Sequence, residues 1–457
     1  MAKKSSAVLL PNLGLYLNVP AIAVPDRGLQ DCLNVRFSEG KITNTQMGWE
    51  RLSKMWQLNG PVTLIDNFFD SAGAQTMLLA STTDLYEWNE ANDQIFYLTP
   101  RYDTGTVTCS GTDHVILVGG AWDTTGVKIG DFIHFGAAGQ RNPSDAEQPS
   151  GPSAEWFVIK QFLSSTELLL TTNGPTVTNV PYTIRITQTG TTSDVWSTET
   201  YHYALPGPTD WWVGTNGVDK VLRWTSGATQ AEYVDLGFKC KALLRWNNMM
   251  IYANLDVQGS SRRTSIRNSD IGSPFEVVDG VASELIAYDG VEEISAILRI
   301  ADNLVLYSKR NVVLVAFVGL PQMFAFRSVV TNMGPVSGAA IADFGNTHEF
   351  LGADAAYSFD GVTVKETNSH VMREVVRTMP VERYGQVLAH FAEDTGELWW
   401  VVPQTADISQ TSPSIAFSEH YLEQVGTAPR PFTKRELPAT AVGAFDSEHT
   451  LTWDQIH

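Results

Sequence analysis

Positive charge is scarce in this chain. Lys and Arg number 31 against 50 Asp and Glu, a formal net charge of −19 over 457 residues. A DNA-binding protein needs a cationic face to displace counterions from phosphate, so the electrostatic footprint of such a protein is missing. An acidic wall repels phosphates instead, which suits a surface past which a duplex slides. Cysteine is nearly absent: Cys32, Cys109 and Cys240 are odd in number, far apart and without a Cys-x-x-Cys spacing. That argues against a disulfide framework and a zinc site, and for reduced thiols in a protein that folds in a cytoplasm. No apolar run approaches the roughly 20 residues that span a bilayer, so stable membrane insertion is not expected. Met1-Ala2-Lys3-Lys4 precedes an apolar stretch broken by Pro11, Asn12, Asn18 and Pro20, and no small-residue cleavage site fits, so a secretion signal is not expected. Gly-rich phosphate loops, His-Glu-x-x-His and Gly-x-Ser-x-Gly are also lacking. No catalytic residue, cofactor site or metal site is assigned.

What the chain does have is 43% hydrophobic residues, 13 Trp and 36 Gly, with only 18% charged. This is the make-up of a β-rich, turn-rich protein. A hairpin pattern recurs: an apolar alternating run, a Gly/Asn/Asp/Thr turn, then a second run ending on an aromatic. Examples are Met77–Ala80 with Leu85–Trp88, Trp211–Val213 with Val221–Trp224, and Asn303–Tyr307 with Val312–Phe317. His348–Leu351 with Ala355–Phe359, and Ala444–Ser447 with Thr450–Trp453, continue it. Adjacent copies lie roughly 40 to 55 residues apart, the period of a four-stranded propeller blade. One such unit cannot bury its apolar face alone. The expected fold is therefore all-β, a β-propeller of six or seven blades.

The expected organisation has four parts. Residues 1–60 form an N-terminal arm and hairpin that takes part in closing the propeller. Within it, the run to Phe37, the turn Ser38-Glu39-Gly40 and the return from Lys41 read as a hairpin. Residues 61–103 form the first blade. Residues 104–187 differ in texture, with short runs such as Asp131–Phe135, Trp156–Ile159 and Tyr182–Ile186 around a polar loop from Gly136 to Ser153. They read as a small β-barrel or sandwich inserted into the ring at a loop. Residues 188–457 hold the remaining blades. One helix is expected, from Ser369 to Arg377, stopped by Pro380, interrupting two blades and sitting on one rim.

Several groups have both a chemical and a plain reading. Glu292-Glu293, Glu393-Asp394 and the Asp84/Glu87 pair could suggest a glycosidase, which needs two carboxyls at a set separation; they read better as solvated turn carboxylates. His348 and Glu349 are neighbours on a strand and point to opposite faces, which argues against joint chemistry. Asn89–Asp93 and Asp302-Asn303 read as Asx turns rather than calcium loops. Trp49, Trp211, Trp212, Trp399 and Trp400 are candidate interface aromatics. In each adjacent pair, one ring is expected between blades and the other towards solvent or a neighbour. Arg262 and Arg263, with Arg267, form the one local excess of positive charge. They are read as a loop, a candidate interface or channel contact with DNA or an acidic neighbour.

The segment Leu33-Asn34-Val35-Arg36-Phe37-Ser38-Glu39-Gly40, followed by Gly48-Trp49-Glu50-Arg51-Leu52, resembles the opening of a family of bacteriophage tail and head–tail connector proteins. Asn303–Ser308, Gly334–Ser337 and Tyr357–Gly361 are similar to later segments of that family, and residues 104–187 resemble a β-domain of phage virion proteins. The order of these segments carries the resemblance. It implies a tail nozzle of short-tailed phages: a homohexameric ring of propellers below the portal and adaptor proteins, with fibres as further partners. Double-stranded DNA passes through without sequence-specific binding, and no enzyme activity is implied. The protein would be assembled in the host cytoplasm and reside in the virion tail. The alternative is a carbohydrate-binding or glycan-degrading propeller, a receptor-binding tail protein.

Overall fold

The computed structural model describes residues 13, 15–25, 29–38, 41–45, 58–89, 94–122, 125–136, 156–203, 209–278, 282–286, 292–319, 323–393, 395–404, 412–423 and 430–443. Trp49, the hairpin expected at 444–453 and most of the polar loop from Gly136 to Ser153 lie outside them. Six four-stranded antiparallel sheets follow one another along the chain, each pairing its strands in sequence order. Blade 1 comprises Val62–Phe69, Gln75–Ser81, Leu85–Asn89 and Gln94–Tyr97. Blade 2 comprises Ser197–Tyr203, Thr209–Thr215, Leu222–Trp224 and Glu232–Tyr233. Blade 3 is Lys239–Trp246, Met249–Val257, Ser260–Asn268 and Ser283–Ile286; blade 4 is Ile294–Ile300, Asn303–Ser308, Asn311–Phe317 and Phe324–Thr331. Blade 5 is Ile341–Asp343, His348–Leu351, Ala356–Phe359 and Val364–Thr367; blade 6 is Leu388–Ala392, Glu397–Val402, Ile415–His420 and Phe432–Glu436. First strands touch first strands of neighbouring blades, which places them innermost. The fold is a six-bladed β-propeller, so of the two expected blade counts the smaller holds.

Strand alternation explains the stacking. In blade 4, Leu304 and Leu306 pack with Trp246 and Ile251 of blade 3, while Val305 and Tyr307 pack with Phe350 and Phe359 of blade 5. Period-two side chains thus serve two seams from one strand. Tight turns keep the registers. Asn247 and Asn248 both have positive φ (48° and 59°), as do Gln258 and Gly259 (53° and 81°). Two consecutive left-handed residues match the twist of a two-residue hairpin.

Blade 6 takes an outside cover from the N-terminal arm. Leu33 bridges Lys434 in parallel, the Asn34 amide donates to the Lys434 carbonyl at 2.8 Å, and Leu15 donates to Phe432 at 3.0 Å. The arm then forms the hairpin Val35–Ser38 with Lys41–Thr45. Ring closure towards blade 1 comes from the segment after the last strand, where Thr440 Oγ1 donates to the Val62 carbonyl.

One helix, α1 (Ser369–Thr378), leaves blade 5. Val371, Met372, Val375 and Val376 are buried with Leu351 of blade 5 and Trp400 and Phe417 of blade 6, so the helix is a wedge in that seam. Its apolar residues recur at three- and four-residue spacing, which gives a single stripe to bury.

Between blades 1 and 2 the chain forms an eight-stranded antiparallel sheet, from Arg101–Tyr102 through Tyr182–Arg185. Val107, Val115, Ile133, Phe157, Leu168 and Ile184 share one core with Trp122, so the sheet curls around its own apolar face. Trp122 Nε1 donates to the Tyr182 hydroxyl at 3.1 Å, satisfying the buried indole.

Candidate functional site

The inner strands begin around a central funnel of about 800 Å³, to which all six blades contribute, among them Leu64, Trp196, Leu243, Ile297, Ala339 and Leu388. That is the volume of a small-molecule pocket. A duplex, whose major groove alone is ~12 Å wide, does not thread it.

The funnel rim carries paired charges. Glu293 accepts from Lys241 Nζ and from Asn254 Nδ2, both at 3.2 Å, and Arg263 Nη1 stands 3.5 Å from its other oxygen. Burial pushes the Glu293 carboxyl up, but Lys241, Asn254 and Arg263 outweigh it and hold it below the usual range. Arg310 pairs with Glu292 at 3.4 Å. Glu292 and Glu293, read from sequence as turn carboxylates, thus serve as counter-ions.

The basic patch is not a loop. Arg262, Arg263 and Arg267 lie on the strand Ser260–Asn268, the third of blade 3, because that segment pairs with Ile251–Val257 on one side and Ser283–Ile286 on the other. Its polar opening residues are exposed, and pairing of Ser260–Arg262 with Leu255–Val257 holds them extended regardless. Arg267 donates to the Val277 carbonyl at 2.8 and 3.1 Å over the Phe238 ring and is a structural clamp. Arg263 reaches the funnel rim and Arg262 stays exposed.

The paired tryptophans divide. Trp212 and Trp400 are fully buried. Trp211 is half-buried against Phe275 with the Arg223 guanidinium over its ring at 4.6 Å. Trp399 is half-buried and donates to Glu397 at 3.0 Å. His348 and Glu349 point apart: His348 Nδ1 meets the Tyr307 hydroxyl at 2.6 Å, whereas Glu349 accepts from Arg430 at 3.1 Å.

Sequence reasoning missed the buried charges. Arg185, 3% exposed, lies where the inserted sheet meets blade 1, boxed by Tyr97, Trp156 and Phe132 at 4.3, 4.4 and 5.0 Å, with Asp84 at 3.7 Å. Blade 6 holds two more clusters. Arg435 donates to Glu397 at 2.6 Å with His420 at 3.4 Å. Arg430 joins Glu419 of the same blade to Glu349 of blade 5. Their partners are far apart in the chain, so no local pattern announces them. Among the described residues no cluster of three or more His, Cys, Asp or Glu is placed to hold a metal.

No protein-family model and no curated protein matches the chain. Solved structures that are similar include BBS1N in complex with ARL6DN (TM-score 0.30, 8% identity, 76% of this chain and 90% of that one). A putative 6-phosphogluconolactonase from Bacteroides uniformis gives TM-score 0.25 and 11% identity over 65% of this chain and 82% of that one. Apo AztD from Citrobacter koseri gives TM-score 0.25 and 9% identity over 78% of this chain and 96% of that one. At these identities and scores they carry no inference about what this propeller does.

Proposed function

We propose that this chain is a structural protein of a bacteriophage tail, a subunit of a ring-forming nozzle below the portal and adaptor that conducts the genome during ejection. The observation that carries this reading is the N-terminal arm. Leu33 and Asn34, in a segment that resembles the phage family, bond the outermost strand of blade 6, and the chain continues into the hairpin Val35–Ser38 with Lys41–Thr45. A hairpin extending a blade edge offers strand-to-strand contact with a neighbouring subunit.

Other features support the same role. The funnel inside one subunit is too small for a duplex, so the DNA path belongs on the axis of a ring of subunits, a homohexamer in the family resembled. The net charge of −19 suits a lumen wall that phosphates do not adhere to. Blades stacked on continuous apolar seams form a stiff wall. The inserted sheet, held by Arg185 and by the Arg101 donation to the Thr229 carbonyl at 2.9 Å, is positioned as a rigid appendage. The role needs no catalysis and no cofactor.

The test is deletion of the hairpin, residues 35–45. The reading expects a propeller with a near wild-type melting transition and no ring assembly, alone or with the adaptor. Rings assembled by the deletion protein would overturn the role given to the arm.

A further inference from the structure

The seam between blades 5 and 6 contains two carboxylates and one cation. Glu349 Oε1 and Glu419 Oε1 accept from the same nitrogen, Arg430 Nη1, at 3.1 and 2.8 Å. Glu349 is 3% exposed and Glu419 is fully buried. Asn368, at the start of α1, donates to Glu419 Oε1 at 2.8 Å. The second oxygen of Glu419, Oε2, is buried without a hydrogen bond among the described residues, and the Tyr421 hydroxyl faces Glu349. Four elements meet here: the second strand of blade 5, the third and fourth strand regions of blade 6, and α1.

Two carboxylates this close, away from water, with a single guanidinium between them, do not both stay ionised. The groups around them supply no second cation. His370 on α1 is held neutral, its pKa lowered to about 4 by burial. The Tyr421 ring lies under Arg430 at 3.7 Å and against Phe344 and Phe391. His420 and Arg435 belong to Glu397 on the opposite face of the blade 6 sheet.

We infer that the Glu349–Glu419 pair holds one proton in the closed ring and that its loss loosens the seam in which α1 is wedged, making a proton-operated latch. Burial first, and Glu349 second, push the Glu419 carboxyl up to about 7, with Arg430 opposing them. The unfolded chain releases the same proton near the ordinary carboxylate range. Stability therefore falls as pH rises from about 5 to about 7 and levels above that.

Hydrogen exchange of α1, corrected for intrinsic rates, tests this at pH 5.5 and 8.5 in the full chain. Wild type should lose protection by about thirtyfold at the higher pH, because about 1.5 pH units separate 5.5 from the raised pKa. Glu419→Gln removes the proton equilibrium while keeping the shape, and Glu349→Gln removes the like charge. Glu419→Gln should show pH-independent protection, and Glu349→Gln a smaller loss than wild type, because burial still raises Glu419 when the like charge is gone. Equal protection of wild type at both pH values, a loss that persists in folded Glu419→Gln, or a wild-type loss in folded Glu349→Gln overturns the latch.

Discussion

The indole nitrogen of Trp212 in blade 2 donates to Oδ2 of Asp66 in blade 1 at 2.8 Å. Asp66 sits on the innermost strand of its blade, and Trp212 is fully buried between the two sheets. Burial raises the Asp66 carboxyl above its usual range, and the hydrogen bonds from Trp212 and Thr198 offset part of that. Other polar contacts cross the same seam, among them the Ser71 amide to Asp210 at 2.6 Å and Trp196 Nε1 to Thr63 Oγ1 at 3.2 Å. Trp212→Phe keeps most of the ring and removes one of the donors to a buried carboxyl, at a cost of about 2 kcal/mol. Chemical denaturation measures it. Adding Asp66→Asn should not repeat that loss, because the two changes act on one bond; fully additive losses would mean that the pair is not coupled.

Arg185 fastens the inserted sheet to blade 1. Replacing it with Leu removes three ring contacts and the cation beside buried Asp84, which keeps its hydrogen bonds from Asn59, Thr83 and Thr99, a loss of about 3 kcal/mol. The damage should be local. Limited proteolysis should cut within residues 104–187 faster than in wild type, while the propeller fragments stay protected. Uniform acceleration along the chain would contradict a local clamp.

Gly334 shows why one motif glycine is needed. A Cβ at this position would collide with the Ser308 carbonyl oxygen and with the backbone of Lys309, neither of which can rotate away. Gly334→Ala should therefore destabilise by more than about 2 kcal/mol, beyond any gain from a less flexible unfolded chain. A melting temperature at or above wild type would show that the turn has room to shift.

The thiols should be slow to react. Burial pushes Cys240 up to about 12 and Cys32 up to about 11, and Cys109 is 1% exposed. The thiolate is the reactive form. The native protein should titrate with a disulfide reagent at neutral pH only after denaturant is added. Rapid labelling of the native protein would contradict this packing.

Blades with local turns and aromatic endings were readable in sequence. The second and third strands of blades 1, 2, 4 and 5 fall on the hairpins identified from alternation, since their pairing partners are only a few residues away. Blade 3 hid one strand behind Ser260-Ser261-Arg262-Arg263, where exposed polar residues mimic a loop and pairing with Leu255–Val257 decides the outcome. Blade 6 separates its middle strands by residues 403–414, longer than a turn. The helix α1 was readable as an element between two blades, and its apolar stripe specifies that one face is buried. Which residues of the two blades it packs against was not readable. The buried clusters around Arg185, Arg430 and Arg435 were invisible because charge pairing across 81 residues, as between Glu349 and Arg430, leaves no periodic trace.

The central claim is ring assembly, and particle mass tests it most directly. Mass photometry of the purified protein, alone and with the portal and adaptor of the same phage, followed by negative-stain imaging, reads it out. The account predicts particles near six subunits with an open axis, alone or on the adaptor template. A protein that stays monomeric with the adaptor present and binds glycans on an array would contradict it and favour a receptor-binding propeller.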